Sequence, residues 1–132
     1  MEIRISTAKA RVPVTIVHIV GNVDSATYPL FQSEADGAIE KGARHILIDF
    51  SETPFVSSAG FRVLHNIFSK LRSVHNDLDD DELRRKIGTG AYNSPYMKVA
   101  KLSSQVRDAF IISGFDTYIE VCDDLTKAVA SF

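Results

Sequence analysis

The sequence predicts an α/β sandwich on a mixed β-sheet, with about five strands and about four helices. Two observations carry this reading. Short runs of branched apolar residues alternate with longer segments whose apolar residues recur at helical spacing, the order of a sheet with helices packed on it. The first two strand runs are separated by a short polar link, which suits an antiparallel hairpin, so the sheet is not wholly parallel. The 132 residues read as one domain, 1–132. A chain of that length buries roughly two-thirds of its unfolded surface, enough for its own core.

The elements follow in order. Met1 to Ser6 alternates Ile3 and Ile5 with polar residues, a half-buried strand. Val12 to Val20 is the second strand, with Pro13 tolerable near its start or at an edge. Gly21-Asn22-Val23-Asp24 closes that strand; from its residue type alone, Asp24 is a turn residue or a helix cap. The first helix takes Pro29 in its first turn, carries Phe31, Ala35, Ala38 and Ile39 as its apolar stripe, and ends at Gly42. Arg44 to Phe50, with Ile46-Leu47-Ile48 at its heart, is a buried central strand.

Polar residues and Pro54 then break the pattern into a loop. Ser57-Ser58 stand immediately before Phe61, Leu64, Phe68 and Leu71, which share one face of a helix running from about Ser58 to Arg72. The first N–H groups of a helix lack internal partners and carry the positive end of its dipole. A hydroxyl there can cap the helix, and a phosphate on that hydroxyl would be well placed.

Ser73 to Pro95 departs from the regular order. Gly88, Gly90, Asn93, Ser94 and Pro95 read as loop, while Asp79 to Lys86 runs from acidic to basic and supports a short helix or an extension of the previous one. It holds few apolar residues besides Val74, Leu78, Leu83 and Ile87, and its glycines and charges favour solvation, so solvated and mobile decoration is expected. Tyr96 to Leu102 resumes as a strand with its lysines facing out. Ser103-Ser104 cap a helix carrying Val106, Phe110 and Ile111 that stops at Gly114; Thr117 to Val121 is the fifth strand. Asp123-Asp124 cap a last helix with Leu125, Ala128, Val129 and Phe132 on one face. The order is ββαβα, the 73–95 stretch, then βαβα.

Composition narrows the function. Hydrophobic content of 45% and charged content of 24% are ordinary for a globular domain. A net charge of -2, with Arg84-Arg85-Lys86 offset by Asp79-Asp80-Asp81-Glu82, leaves no basic patch for direct nucleic-acid binding. No signal peptide and no membrane-spanning run is evident, so a cytoplasmic protein without membrane insertion is expected. Cys122 is the only cysteine, which precludes an internal disulfide, and its neighbour Val121 suggests a core position. For hydrolysis, His65 lies seven residues after Ser58, ~10 Å along a helix and too far for direct proton transfer. His18, His45 and His75 are scattered, no pair has zinc-ligand spacing, and Gly88-Thr89-Gly90 lacks the setting of a dinucleotide loop. No catalytic residue, cofactor or metal site is expected.

The stretch from Asp49 to Leu64 resembles the phosphorylation loop of the STAS domain, the family of bacterial anti-sigma factor antagonists. That family's pattern is an apolar strand ending in Asp-x-Ser, a short loop, an apolar pair, then Asp-Ser-Ser-Gly opening a helix. Asp49-Phe50-Ser51, Phe55-Val56 and Ser57-Ser58-Ala59-Gly60 occupy those places in register, and Gly21 and Asp24 match a family Gly-x-x-Asp. Ser57 stands where the family usually has Asp, and Ala59 where it often has a second Ser. The resemblance implies a STAS-like fold with 73–95 as an insertion. It implies a regulator that binds an anti-sigma factor, itself a serine kinase, when unphosphorylated and so frees a sigma factor for transcription. Phosphorylation would fall on Ser58 and be reversed by a serine phosphatase. The partner-binding surface would comprise Gly21, Asp24, Ser57, Ser58, Ala59, Gly60, Phe61 and Arg62, with Gly60 leaving room for the kinase to approach. The alternative it leaves open is an unphosphorylated interaction module of the same fold, in a larger signalling assembly or regulating a transporter or lipid-handling partner.

Overall fold

The computed structural model describes residues 1–77 and 79–132; Leu78, counted above among the apolar residues of its segment, lies outside the described residues. The strands are β1 (Glu2–Lys9), β2 (Pro13–Val20), β3 (Ile46–Glu52), β4 (Met97–Ala100) and β5 (Glu120–Cys122). The helices are α1 (Tyr28–Glu40), α2 (Ser58–Val74), α3 (Asp80–Gly88), α4 (Ser104–Ile112) and α5 (Leu125–Ala130), with a single 3-10 turn at Phe115–Thr117.

The five strands form one sheet in chain order, β1 to β5. β1 and β2 pair antiparallel from Glu2 opposite Val20 to Lys9 opposite Pro13, which puts Pro13 at the start of its strand, where a missing N–H costs least. The remaining pairs are parallel. The sheet is therefore mixed, as its sequence predicts.

Alternation along the strands sends their side chains to two unequal faces. Val17, Ile19, Ile46, Ile48, Phe50, Met97 and Val99 join the large core formed with α1, α2 and α4. Val14, Ile16, Leu47 and Ala100 meet Ala128 and Val129 of α5 on the other side. A helix of six residues is about 9 Å long and covers only part of that second face. Ser6, His18 and Asp49 occupy the part it leaves.

Four expectations need correction. Lys98 does not face out: it is only 7% exposed. Its ammonium meets Glu120 Oε2 at 2.7 Å and Ser131 Oγ at 2.7 Å and lies 5.1 Å from the Phe132 ring, tying the C-terminal residues to the sheet. A buried lysine is stable only with such partners. β5 is shorter than predicted, because Phe115 is buried and the 3-10 turn that places it occupies Thr117. Ile5 is 43% exposed, since β1 is an edge strand. Cys122 is half-buried beside α5.

The 73–95 stretch is more integrated than solvated decoration. Asp79 caps α3 by accepting from Glu82 N at 2.8 Å. Leu83 and Tyr92 are buried in the main core, and the Tyr92 hydroxyl donates to Asp77 at 2.7 Å. Burial, and then the Asp77 carboxylate, hold the Tyr92 phenol far above its ordinary range.

Candidate functional site

β2 and β3 end side by side, and the chain beyond each keeps the other in step. Gly21 N donates to Glu52 O at 2.9 Å, Val23 N to Phe55 O at 2.9 Å, and Ser57 N to Val23 O at 2.8 Å. The buried Thr53 hydroxyl adds a bond to Ile19 O at 2.7 Å. Gly21 makes the bend possible, at a φ of +105° that side chains rarely adopt. The loop before α2 is thus fastened to the turn after β2, which brings Asp24 and Ser57-Ser58 into one neighbourhood.

Asp24 spends its side chain locally. Its Oδ1 accepts from Ala26 N at 2.9 Å and Thr27 N at 3.1 Å, an Asx turn leading into α1. The turn role read from residue type is the one its contacts display.

At the foot of the loop the Asp49 carboxylate is 5% exposed. Its Oδ1 accepts from Ser51 N at 2.9 Å and its Oδ2 meets His18 Nδ1 at 2.8 Å. Burial pushes its pKa up, but the Ser51 N–H and the His18 ring outweigh that, and the net direction is down. His18 Nε2 in turn meets Ser6 Oγ at 2.8 Å. This Ser-His-Asp chain joins three strands and was missed in the sequence, where the residues lie far apart; only the paired strand registers could have revealed it. Ser6 sits exposed on an edge strand, and Arg4, on the next outward position, is held by Glu2 and Glu52. Acidic surroundings suit a strut between strands better than an oxyanion site.

α2 begins without a side-chain cap. Ser57 is its N-cap residue, yet Ser57 Oγ is buried with no hydrogen-bond partner among the described residues. Ser58, the first helical residue, is exposed, and Ala59 is half-buried. Gly60 is buried, and a Cβ there would come within 2.6 Å of Val56 Cγ1 and 2.7 Å of Val23 Cγ1. The space at Gly60 is filled by the protein's own Val23–Val56 bridge, so it is no opening for an approaching kinase. Phe61 is also buried, 7% exposed and stacked on Phe115 at 5.7 Å. Arg62 is exposed.

Ser57, Ser58, Phe61 and Arg62 border an open groove of about 720 Å³ between the start of α2 and the end of α4. Its floor is apolar, from Val56, Phe61 and Phe115, and Phe55 stands at its rim 46% exposed. Ser57, Ser58, Arg62 and His65 supply its polar side. Of the predicted surface residues, Ser58 and Arg62 are the freely accessible pair; Gly60 and Phe61 shape the site from inside. The groove's α4 wall, Ala109 with Ser113 just after the helix, was not foreseen.

A family model for the STAS domain matches residues 6–78. BtrV of Bordetella bronchiseptica, named as a candidate anti-sigma factor antagonist, is 27% identical over 117 residues, 89% of this chain and 84% of that protein. An anti-sigma factor antagonist from Mycobacterium paratuberculosis superposes with a TM-score of 0.70 at 17% identity, over 98% of this chain and 93% of that one. The Bacillus cell fate determinant SpoIIAA in its phosphorylated form superposes with a TM-score of 0.64 at 15% identity, over 97% and 96% of the two chains.

Proposed function

The chain belongs to the STAS domain family, and on that premise we propose that it is an anti-sigma factor antagonist that works by partner switching. Unphosphorylated, it binds an anti-sigma factor that is also a serine kinase; phosphorylation of Ser58 breaks that complex, and a serine phosphatase restores it. The single observation that supports this most is Ser58 itself, exposed on the first turn of α2 at the edge of an apolar groove. The name carried by BtrV points to the same role.

In this reading the groove receives an apolar element of the partner, Arg62 lines it, Asp24 stands in the turn fastened to the loop beside it, and Gly21 and Gly60 act by holding the backbone in place. The domain spans 1–132 with 73–95 as an insertion, and its part is regulatory, with the covalent chemistry done by the kinase and the phosphatase. Among the described residues no helix is long and apolar enough to cross a membrane.

Incubation with the serine kinases encoded nearby and ATP, followed by mass spectrometry, tests the site. The expected product carries one phosphate on Ser58, absent in Ser58→Ala and present in Ser57→Ala. Labelling that survives Ser58→Ala and vanishes in Ser57→Ala would place the acceptor one residue earlier. No labelling by any of them would favour the unphosphorylated interaction module.

A further inference from the structure

The groove beside Ser58 has an uneven set of charges. The residues lining it from the loop, from α2 and from α4 with the chain after it include Arg62 and His65 and, among the described residues, no carboxylate. Arg62 is exposed and forms no hydrogen bond or ion pair among the described residues, whereas Arg4 and Arg107 are each held by an acid. It stands four residues after Ser58 on the same helix, one turn on, and both border the same groove. At that spacing two side chains are neighbours, about 5–6 Å apart at Cβ. His65 is a further turn away, about 10 Å from Ser58 along the axis.

We propose that Arg62 is the counter-ion of phosphorylated Ser58: the phosphate is received by the guanidinium of its own helix, which closes over the polar side of the groove. The inference rests on the reading of Ser58 as the acceptor and adds to it a named receiver. A dianionic phosphate offers three acceptor oxygens, and the planar guanidinium fork can meet two of them at once. Modification then changes two things at the surface: it adds a dianion and withdraws the one arginine that lines this groove from pairing with an acidic group of a partner. The step moves no further atoms, since the phosphoryl group is already in place and the pair is an electrostatic contact.

The test needs no kinase. Phosphoserine is installed at position 58 during translation, in the full chain and in its Arg62→Gln, Arg62→Lys and His65→Gln forms, and the phosphate is followed by phosphorus NMR across pH. The guanidinium should hold the second ionisation of the phosphate lower in the parent than in Arg62→Gln by ~0.5 pH unit. Arg62→Lys should fall between, because an ammonium keeps the charge but not the fork. Unphosphorylated Arg62→Gln melting with the parent guards against a folding defect. Coincident titrations for the parent and Arg62→Gln would overturn the proposal, as would a shift that disappears in His65→Gln instead. Failure of every kinase to label Ser58 leaves this measurement intact, so the two readings fail separately.

Discussion

Two helices in this molecule begin with the same Ser-Ser pair, and the two beginnings are built differently. Ser103 precedes α4 and Ser57 precedes α2, with similar extended backbones at φ -63°, ψ 164° and φ -81°, ψ 174°. Ser103 Oγ turns back to accept from Val106 N at 3.2 Å, satisfying one of the helix's orphan donors. Ser57 Oγ does not, and lies buried without a partner among the described residues. Asp79 and Asp124 cap α3 and α5 as Ser103 caps α4. A cap of this kind contributes about 1 kcal/mol, so α2 forgoes stability at the one helix start that carries Ser58 and faces the groove. Neither residue type nor backbone angle alone decides a cap; at Ser57 the backbone N–H is fastened to Val23 O while the hydroxyl is turned away from the helix N–H groups.

The largest expected effect concerns what holds that open start in position. Gly60→Ala pushes a methyl into Val56 and Val23, and overpacking of this kind costs about 1–3 kcal/mol. At roughly 3 °C per kcal/mol for a chain of this size, the melting temperature should fall by ~3–9 °C. A Gly60→Ala protein that melts with the parent would mean that the Val23–Val56 bridge yields easily and the loop is not held by packing.

The serines themselves sharpen the comparison next. Ser103→Ala should lose about 1 kcal/mol of stability in a denaturant titration, whereas Ser57→Ala should stay within about 0.5 kcal/mol of the parent, or gain slightly by removing an unpaired buried hydroxyl. Equal losses would show that Ser57 caps α2 in solution.

The smallest effect is the response to acid. Asp49 anchors the loop through Ser51 N, and its folded pKa lies below its ordinary value. The stability it contributes is therefore present above the unfolded value of about 3.9 and lost as pH falls through the folded one. At the opposite end of the strands His45 packs against His75, Tyr96 and Phe132. Burial and then the charge of His75 lower its pKa, so the unfolded chain takes up that proton first. Stability should decline as pH falls below about 6.5. Melting temperature against pH should show both declines, with Asp49→Asn flattening the acid one and His45→Asn the milder one. Unaltered profiles in either variant would remove that residue from the account.

Much of this architecture was legible in the chain because it follows from periodicity. The helical spacing of Phe61, Leu64, Phe68 and Leu71 located α2, and Ile46-Leu47-Ile48 located the central strand, since both patterns are enforced by burial. The short link before Pro13 foretold the hairpin. What resisted reading depends on contacts between distant residues. Lys98 looked like a surface lysine because its partners, Glu120, Ser131 and Phe132, arrive only when α5 folds back on the sheet. The Ser6-His18-Asp49 chain exists only once three strands are in register. Gly60 read as open space because a glycine's neighbours are invisible until Val23 and Val56 meet.

The central claim is that the uncapped start of α2 is a switch acting through the interface and leaving the fold intact. A phosphate on Ser58 adds about -1.5 to -2 charges beside free N–H groups and the positive end of the helix, which favours the folded domain by about 0.3–1 kcal/mol. A partner packed against the neutral hydroxyl must instead desolvate that dianion; a loss of about 3 kcal/mol would weaken binding on the order of 100-fold. The direct measurement pairs a thermal melt with a titration against the proposed partner kinase, for the unmodified and the Ser58-phosphorylated protein. The account predicts an equal or slightly higher melting temperature together with that loss of affinity. A melting temperature lower by several degrees, accompanying the lost binding, would contradict it.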